Sequence, residues 1–232
     1  MARLAIVAAA VLLAGCGGDE EETFPQGSEA VEIDPSRFSS EIDNPFWPMT
    51  PGTVWIYRDG DQRVEVRVTN RTRSIMGVET RVVHDLVTEN GVPVEDTFDW
   101  YAQDDDGNLW YFGEETTEFE DGEPIGNAGA WEAGVDGALP GIALPAEPRV
   151  GMTYRQEYYA GEAEDRARVL SLDESVSVPF GDFTGALLTE DTTPLEPDVV
   201  EHKFYVPDIG PVLAVQVKGE SGREELVSLS RP

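Results

Sequence analysis

Between Thr53 and Ser228 the chain is written as short runs of alternating apolar and polar residues, separated by turn residues, with almost no helical period. Arg63 to Thr69 sets the pattern: Val64, Val66 and Val68 interleave with Arg63, Glu65 and Arg67. Successive side chains of a strand point to opposite faces, so this run has one dry face and one wet one. Thr53 to Arg58 precedes it across Asp59-Gly60-Asp61. Thr80 to Thr88 and Val92 to Gln103 flank Glu89-Asn90-Gly91, where Asn-Gly is the strongest short hairpin signal. Leu109 to Phe112 and Thr116 to Glu120 follow, and seven further runs lie between Met152 and Ser228. About eleven short strands predict one all-β antiparallel domain over residues 45–232, a barrel or a strongly curved sheet.

Two stretches depart from simple alternation. Leu109-Trp110-Tyr111-Phe112 is apolar on both faces, which predicts cover on both sides of that strand. Asp121 to Gly151 is rich in Gly and Pro and reads as a long excursion. Trp131, Val135, Leu139, Ile142 and Leu144 give it apolar surface to bury, so it is expected to pack on the domain.

Ahead of the domain, Met1-Ala2-Arg3 is followed by an uninterrupted apolar run from Leu4 to Ala14. That run is well short of the ~20 residues a membrane-spanning helix needs, and it has the form of a signal-peptide core. Leu13-Ala14-Gly15-Cys16 resembles the lipobox of bacterial lipoproteins: a branched apolar residue, two small ones and the cysteine that takes lipid. The resemblance implies cleavage of residues 1–15, lipidation of Cys16, and attachment to a membrane on the extracytoplasmic side of the cell envelope. Cys16 is the only cysteine in the 232 residues, so no internal disulfide can staple the fold and a core must hold it. Residues 16–44 carry Asp19-Glu20-Glu21-Glu22 and scattered Pro, Gly and Ser, with few large apolar residues, and read as an acidic flexible tether.

Charge narrows the partners. The 46 acidic residues outnumber the 16 basic ones for a formal charge of −30, which repels phosphate backbones and excludes nucleic acid. Lysine is confined to Lys203 and Lys218. Only two histidines occur, His84 and His202, in no metal-ligand spacing, and no nucleophile elbow or phosphate-cradling loop is present. Asp104-Asp105-Asp106-Gly107-Asn108 suits either a plain hairpin turn or an irregular calcium site with Asp104, Asp106 and Asn108 as ligands. Placing Gly107 at the glycine of an EF-hand puts Ala102 and Gly113 at its first and last ligand positions, so an EF-hand is disfavoured. Beyond calcium, no cofactor is expected.

The most distinctive segments mix large rings with polar groups: Phe98-Asp99-Trp100-Tyr101, Trp110-Tyr111-Phe112, and Tyr154-Arg155-Gln156-Glu157-Tyr158-Tyr159. They form either ordinary core or the lining of a ligand cavity. In the second case Trp100, Trp110, Tyr154, Gln156, Glu157 and Tyr158 are the expected binding residues. The segments beginning Asp99-Trp100-Tyr101, Trp110-Tyr111-Phe112, Trp131-Glu132-Ala133 and Gln156-Glu157-Tyr158 resemble those of a family of bacterial secreted lipoproteins of unassigned function, over about Pro45 to Gly219. By architecture the chain is also similar to lipoprotein carriers with a half-open β-barrel. Together these predict a non-catalytic module that binds an apolar or amphipathic ligand, or an envelope protein. A hydrolase using a carboxylate pair on an extracellular polymer is the alternative.

Overall fold

A computed structural model describes residues 24–219 and 221–232. Cys16, the signal segment and the first part of the expected tether lie outside the described residues. The described residues form sixteen strands: β1 (Phe38–Ser39), β2 (Val54–Asp59), β3 (Gln62–Ile75), β4 (Val78–Glu89), β5 (Val92–Asp104), β6 (Leu109–Glu120), β7 (Glu123–Gly126), β8 (Trp131–Glu132), β9 (Leu139–Leu144), β10 (Thr153–Arg155), β11 (Glu157–Tyr158), β12 (Arg166–Val178), β13 (Gly181–Thr192), β14 (Val200–Val206), β15 (Gly210–Lys218) and β16 (Arg223–Ser230). The one helical element among the described residues is a 3-10 turn, Pro35–Arg37, capped by the Asp34 side chain.

Every pairing is antiparallel, and the sheet runs β10-β12-β13-β14-β15-β16-β2-β3-β4-β5-β6-β9-β11. Its two end strands are neighbours in sequence. β10 pairs with β12 and β11 pairs with β9, and the single residue Gln156 carries the chain from one to the other. The sheet therefore curls into a nearly closed barrel whose seam is spanned by one continuous backbone. Arg155 fixes the seam: its guanidinium is buried and donates to the carbonyls of Pro140 (2.7 Å), Glu29 (2.8 Å) and Gly27.

The all-β class and the barrel agree with the sequence, but there are more strands than eleven because several elements were hidden. The run expected to stop at Thr69 continues to Ile75, and the chain turns at Met76-Gly77, both at positive φ (51° and 82°). Asn90-Gly91 has the same geometry (51° and 82°) and was legible because Asn favours it, whereas Met does not advertise a turn. The Gly/Pro-rich excursion supplies β7, β8 and β9, all paired with β6, and buries Trp131, Ile142 and Leu144, while Val135 stays exposed.

The tether expected through Asn44 is corrected from Phe24 onward, because this segment wraps the barrel. Phe24 is buried with its ring edge-to-face on Tyr154, 6.2 Å between centroids, and Ile42 is buried too. Phe38 stands edge-on to Trp110 and Phe112, so the wrap is the outer cover that the two-faced run Leu109 to Phe112 demanded. Backbone groups in the wrap pair with the domain: Arg155 N–H donates to Pro25 (2.6 Å), and Arg81 donates to Ser40 (3.1 Å). A few well-placed rings offset the ordering cost of a segment whose average composition reads as unfolded.

Candidate functional site: a carboxylate-lined cavity inside the barrel

The inner face of the barrel borders a partly open cavity of about 340 Å³. Alternation along the strands decides what faces it. Val83 and Asp85 on β4, Asp99 and Tyr101 on β5, and Lys203 and Tyr205 on β14 all point inward. Trp47, Tyr57, Asp165, Leu213 and Glu224 line it from other elements. The intervening residues face outward, where His84 stacks on Phe98 at 4.6 Å and the Arg73 guanidinium lies 4.0 Å over the Trp100 ring.

One irregularity brings in a second acid beside Tyr111. In β6, Tyr111 and Glu114 are three residues apart and in a regular strand would face opposite sides. Opposite them, Asp99 pairs with Glu114 and Tyr101 with Tyr111, so β6 carries one extra residue across from Trp100, a bulge at Phe112-Gly113. Gly113 has φ 124°, a conformation that favours glycine. The bulge re-aims Glu114 inward, and the Tyr111 hydroxyl sits 2.8 Å from Asp99 Oδ1 and 2.6 Å from Glu114 Oε2.

That triad holds an extra proton by its geometry. A phenol has one hydrogen to donate, so it can serve one of the two carboxylates. The other carboxyl must donate its own proton to the phenol oxygen. Burial, with Glu114 next in effect, pushes Asp99 up to about 8. Burial raises Glu114 likewise, although hydrogen bonds from Tyr111 and Thr116 oppose it. Around the rest of the wall, burial and then the Asp165 charge push Glu157 up to about 8, burial pushes Glu224 to about 7, and burial carries Asp85 well above the carboxylate range.

Among the described residues, six carboxylates, those of Asp85, Asp99, Glu114, Glu157, Asp165 and Glu224, thus share the lining with one cation, Lys203. Burial works against the charge of Lys203, but Asp191 and Glu201 outweigh it and hold its pKa well above the ordinary value. Their oxygens lie 3.1 and 3.2 Å from the ammonium. Asp85 Oδ1 and Trp47 Nε1 are buried and have no hydrogen-bond partner among the described residues. Trp47 lies between two rings, 5.6 Å from Tyr101 and 6.4 Å from Tyr205, and Tyr101 stacks on Tyr111 at 4.8 Å.

Of the six residues expected to bind a ligand, two line this cavity. Gln156 does so from the seam, donating to Asp191 at 3.3 Å, and Glu157 does so while accepting from Trp131 Nε1 at 2.8 Å. Trp100 is buried on the outer face under Arg73, and Trp110 packs outside beneath Phe38 with its Nε1 bonded to Asp104 at 2.7 Å. Tyr154 is buried against Phe24, and Tyr158 is half-buried in β11 opposite Leu139, with neither in the lining. Sequence reasoning missed Trp47, Tyr57, Asp85, Asp99, Tyr101, Glu114, Lys203, Tyr205 and Glu224. Part of the signal was present: Asp85 shares a face with Val83 and Val87, so it is a charge on a dry face.

The residues considered for calcium form a self-contained turn. The Asp104 carboxylate accepts from four donors, the backbone N–H of Asp106 and Asn108, Asn108 Nδ2 and Trp110 Nε1. Asp106 pairs with Arg37 at 2.7 Å, and Asn108 Oδ1 accepts from the Ala146 N–H at 3.0 Å.

No family model matches the chain, and no curated protein matches it. Two solved structures are similar in fold. One is described as an exported protein with a YmcC-like fold from Bacteroides fragilis NCTC 9343; it is 14% identical, with a TM-score of 0.47, over 80% of this chain and 99% of that one. The other, described as a lipoprotein from Parabacteroides distasonis ATCC 8503, is 11% identical with a TM-score of 0.43, over 80% of this chain and 98% of that one. At such identity the likeness concerns the fold alone.

Proposed function

We propose that this protein is a lipid-anchored binding module of the cell envelope that holds a small ligand inside its barrel. The observation that carries the reading is the cavity itself. A core closes down on its side chains to near-crystalline density, and it seldom leaves buried polar atoms unpaired. Here about 340 Å³ stays open beside the unpaired Asp85 Oδ1 and Trp47 Nε1, within the range of small-molecule sites. Rings supply contact area and polar groups at fixed positions supply orientation.

Filling the space tests the reading. Ala143 is a small side chain in the lining, on the buried strand β9. In a thermal-shift screen of a chemically diverse small-molecule library, compounds that raise the melting temperature of the wild type are expected to lose that effect in Ala143→Leu. A library with no such compound would sink the proposal. The anchor is tested separately: Cys16→Ser is expected to move the protein from the membrane to the soluble fraction with its β-rich circular dichroism unchanged. A variant that remained membrane-bound would refute lipid attachment at Cys16.

The carboxylate hydrolase keeps one supporting observation, since the cavity turns several acids with raised pKa toward a common space. It requires turnover, so incubation with soluble polysaccharides should release reducing ends from the wild type and not from Glu157→Gln.

A further inference from the structure

We infer that the cavity is built for a small organic cation, an amine or quaternary ammonium carried on a short carbon skeleton. This rests on the reading of the protein as a binding module and names the class of ligand.

The first argument is charge matching. Among the described residues, the one lysine in the lining is already engaged by Asp191 and Glu201, and no arginine or histidine lines the cavity. The acids on the wall are left without a cation. Buried carboxylates in that condition either take up protons or wait for a positive partner, because unpaired buried charge is among the most costly states a protein can hold. Asp85 makes this a matter of a site and not of acidity alone. Asp85 lines the cavity, and its Oδ1 is shielded from solvent and accepts no hydrogen bond among the described residues, which leaves an acceptor for a ligand N–H or a centre of positive charge.

The second argument is aromatic. Trp47 stands between Tyr101 and Tyr205, and Tyr101 stacks on Tyr111, so several electron-rich ring systems border the same space as the acids. Ring faces attract ammonium groups, most strongly where water is excluded, and they bury the carbon skeleton at the same time. A bare divalent ion is a poor match: among the described residues no three acidic or histidine side chains converge to hold a metal. The acids are spread around the wall, which suits an extended ligand over a point charge.

The third argument is access. Two surface depressions share Lys203 with the cavity, one also edged by Glu162, Glu196 and Glu201 and the other by Asp59. An acidic approach concentrates cations and repels anions.

The test uses isothermal titration at pH 7.5 in 150 mM NaCl, with four probes: 1,5-diaminopentane, choline, the neutral 1,5-pentanediol and calcium chloride. At least one of the two organic cations is expected to bind with one-to-one stoichiometry, at least tenfold more tightly than the diol. Binding should fall tenfold or more in Asp85→Asn and in Ala143→Leu, with circular dichroism confirming that both variants fold. Cation binding that persists undiminished in Ala143→Leu would assign it to the acidic exterior and overturn the inference. So would tight binding of calcium without the organic cations. If neither cation binds while a neutral or anionic library compound does so in a manner lost in Ala143→Leu, the cation class is wrong and the binding module stands. If no library compound binds either, both fall.

Discussion

Gly141→Ala is expected to destabilise the protein by more than about 3 kcal/mol, lowering the melting temperature by roughly 10 °C, because it forces backbone apart at the barrel seam. A Cβ at Gly141 would lie 2.5 Å from the Gln156 carbonyl carbon and 2.6 Å from the Arg155 carbonyl oxygen, distances that no side-chain rotation can relieve. The obstructing atoms belong to the residues that carry the chain from β10 to β11, so relief means opening the barrel. Gly137→Ala is the control. Gly137 has φ 88° with nothing within 4 Å of the added carbon, so its cost is backbone strain alone, about 1 kcal/mol. Arg155→Met should also destabilise the seam, since it removes the donor from the carbonyls of Gly27, Glu29 and Pro140 and leaves that of Pro140 buried without a partner. Urea unfolding of the three variants measures the differences. A Gly141→Ala protein within 1 kcal/mol of wild type would show that the seam does not hold the barrel shut.

The second large effect is on pH. In the ligand-free protein, stability is expected to fall by several kcal/mol between pH 5 and pH 8.5, roughly 10 °C or more in melting temperature. The sign follows from the direction of the shifts. Asp99 and Glu157, ordinarily at 3.8 and 4.5, are pushed up to about 8, and Glu224 to about 7, with burial the largest cause in each case. Each binds its proton more tightly when folded than when unfolded. The stabilisation is fully present below the unfolded values and is lost as pH rises through the folded ones, so the window runs from about 4 to about 8.

The chain's net charge of −30 also favours unfolding at high pH through surface repulsion, and salt separates the two causes. At 1 M NaCl the screening length is about 3 Å, which removes the surface term and leaves the enclosed one. The double variant Asp99→Asn with Glu157→Gln should flatten the profile that remains in high salt. A wild-type profile that is flat in 1 M salt, or that rises with pH, would mean that these carboxylates are solvated.

What each level of structure contributed can be followed along β3 to β6. Alternation over Arg63 to Thr69 and the Asn90-Gly91 turn made the antiparallel class legible, because strand periodicity and φ preference are local properties. The two-faced run Leu109 to Phe112 even announced its outer cover. The identity of that cover was not legible: Phe24, Phe38 and Ile42 are isolated in an acidic, Pro-containing segment, and their value depends on the rings they meet.

The choice of Trp100 as a binding residue failed by one position of parity. Its neighbours Asp99 and Tyr101 face the cavity, and Trp100 faces out. Inside and outside are a property of which way a sheet curls, and a strand read alone has no such direction. Glu114 was further out of reach, since only the bulge at Gly113 turns it inward.

The sequence by itself determined that this chain makes antiparallel strands, that its single cysteine cannot staple them with an internal disulfide, and that its net charge is strongly negative, because these depend on residue type and spacing. Only the tertiary structure decided that the sheet meets itself at Gln156, that six carboxylates line one cavity with Lys203, and that Asp85 Oδ1 has no hydrogen-bond partner there among the described residues. Those residues come from strands far apart in the chain. Their altered protonation arises when closure removes them from water together, an energy that no single segment carries.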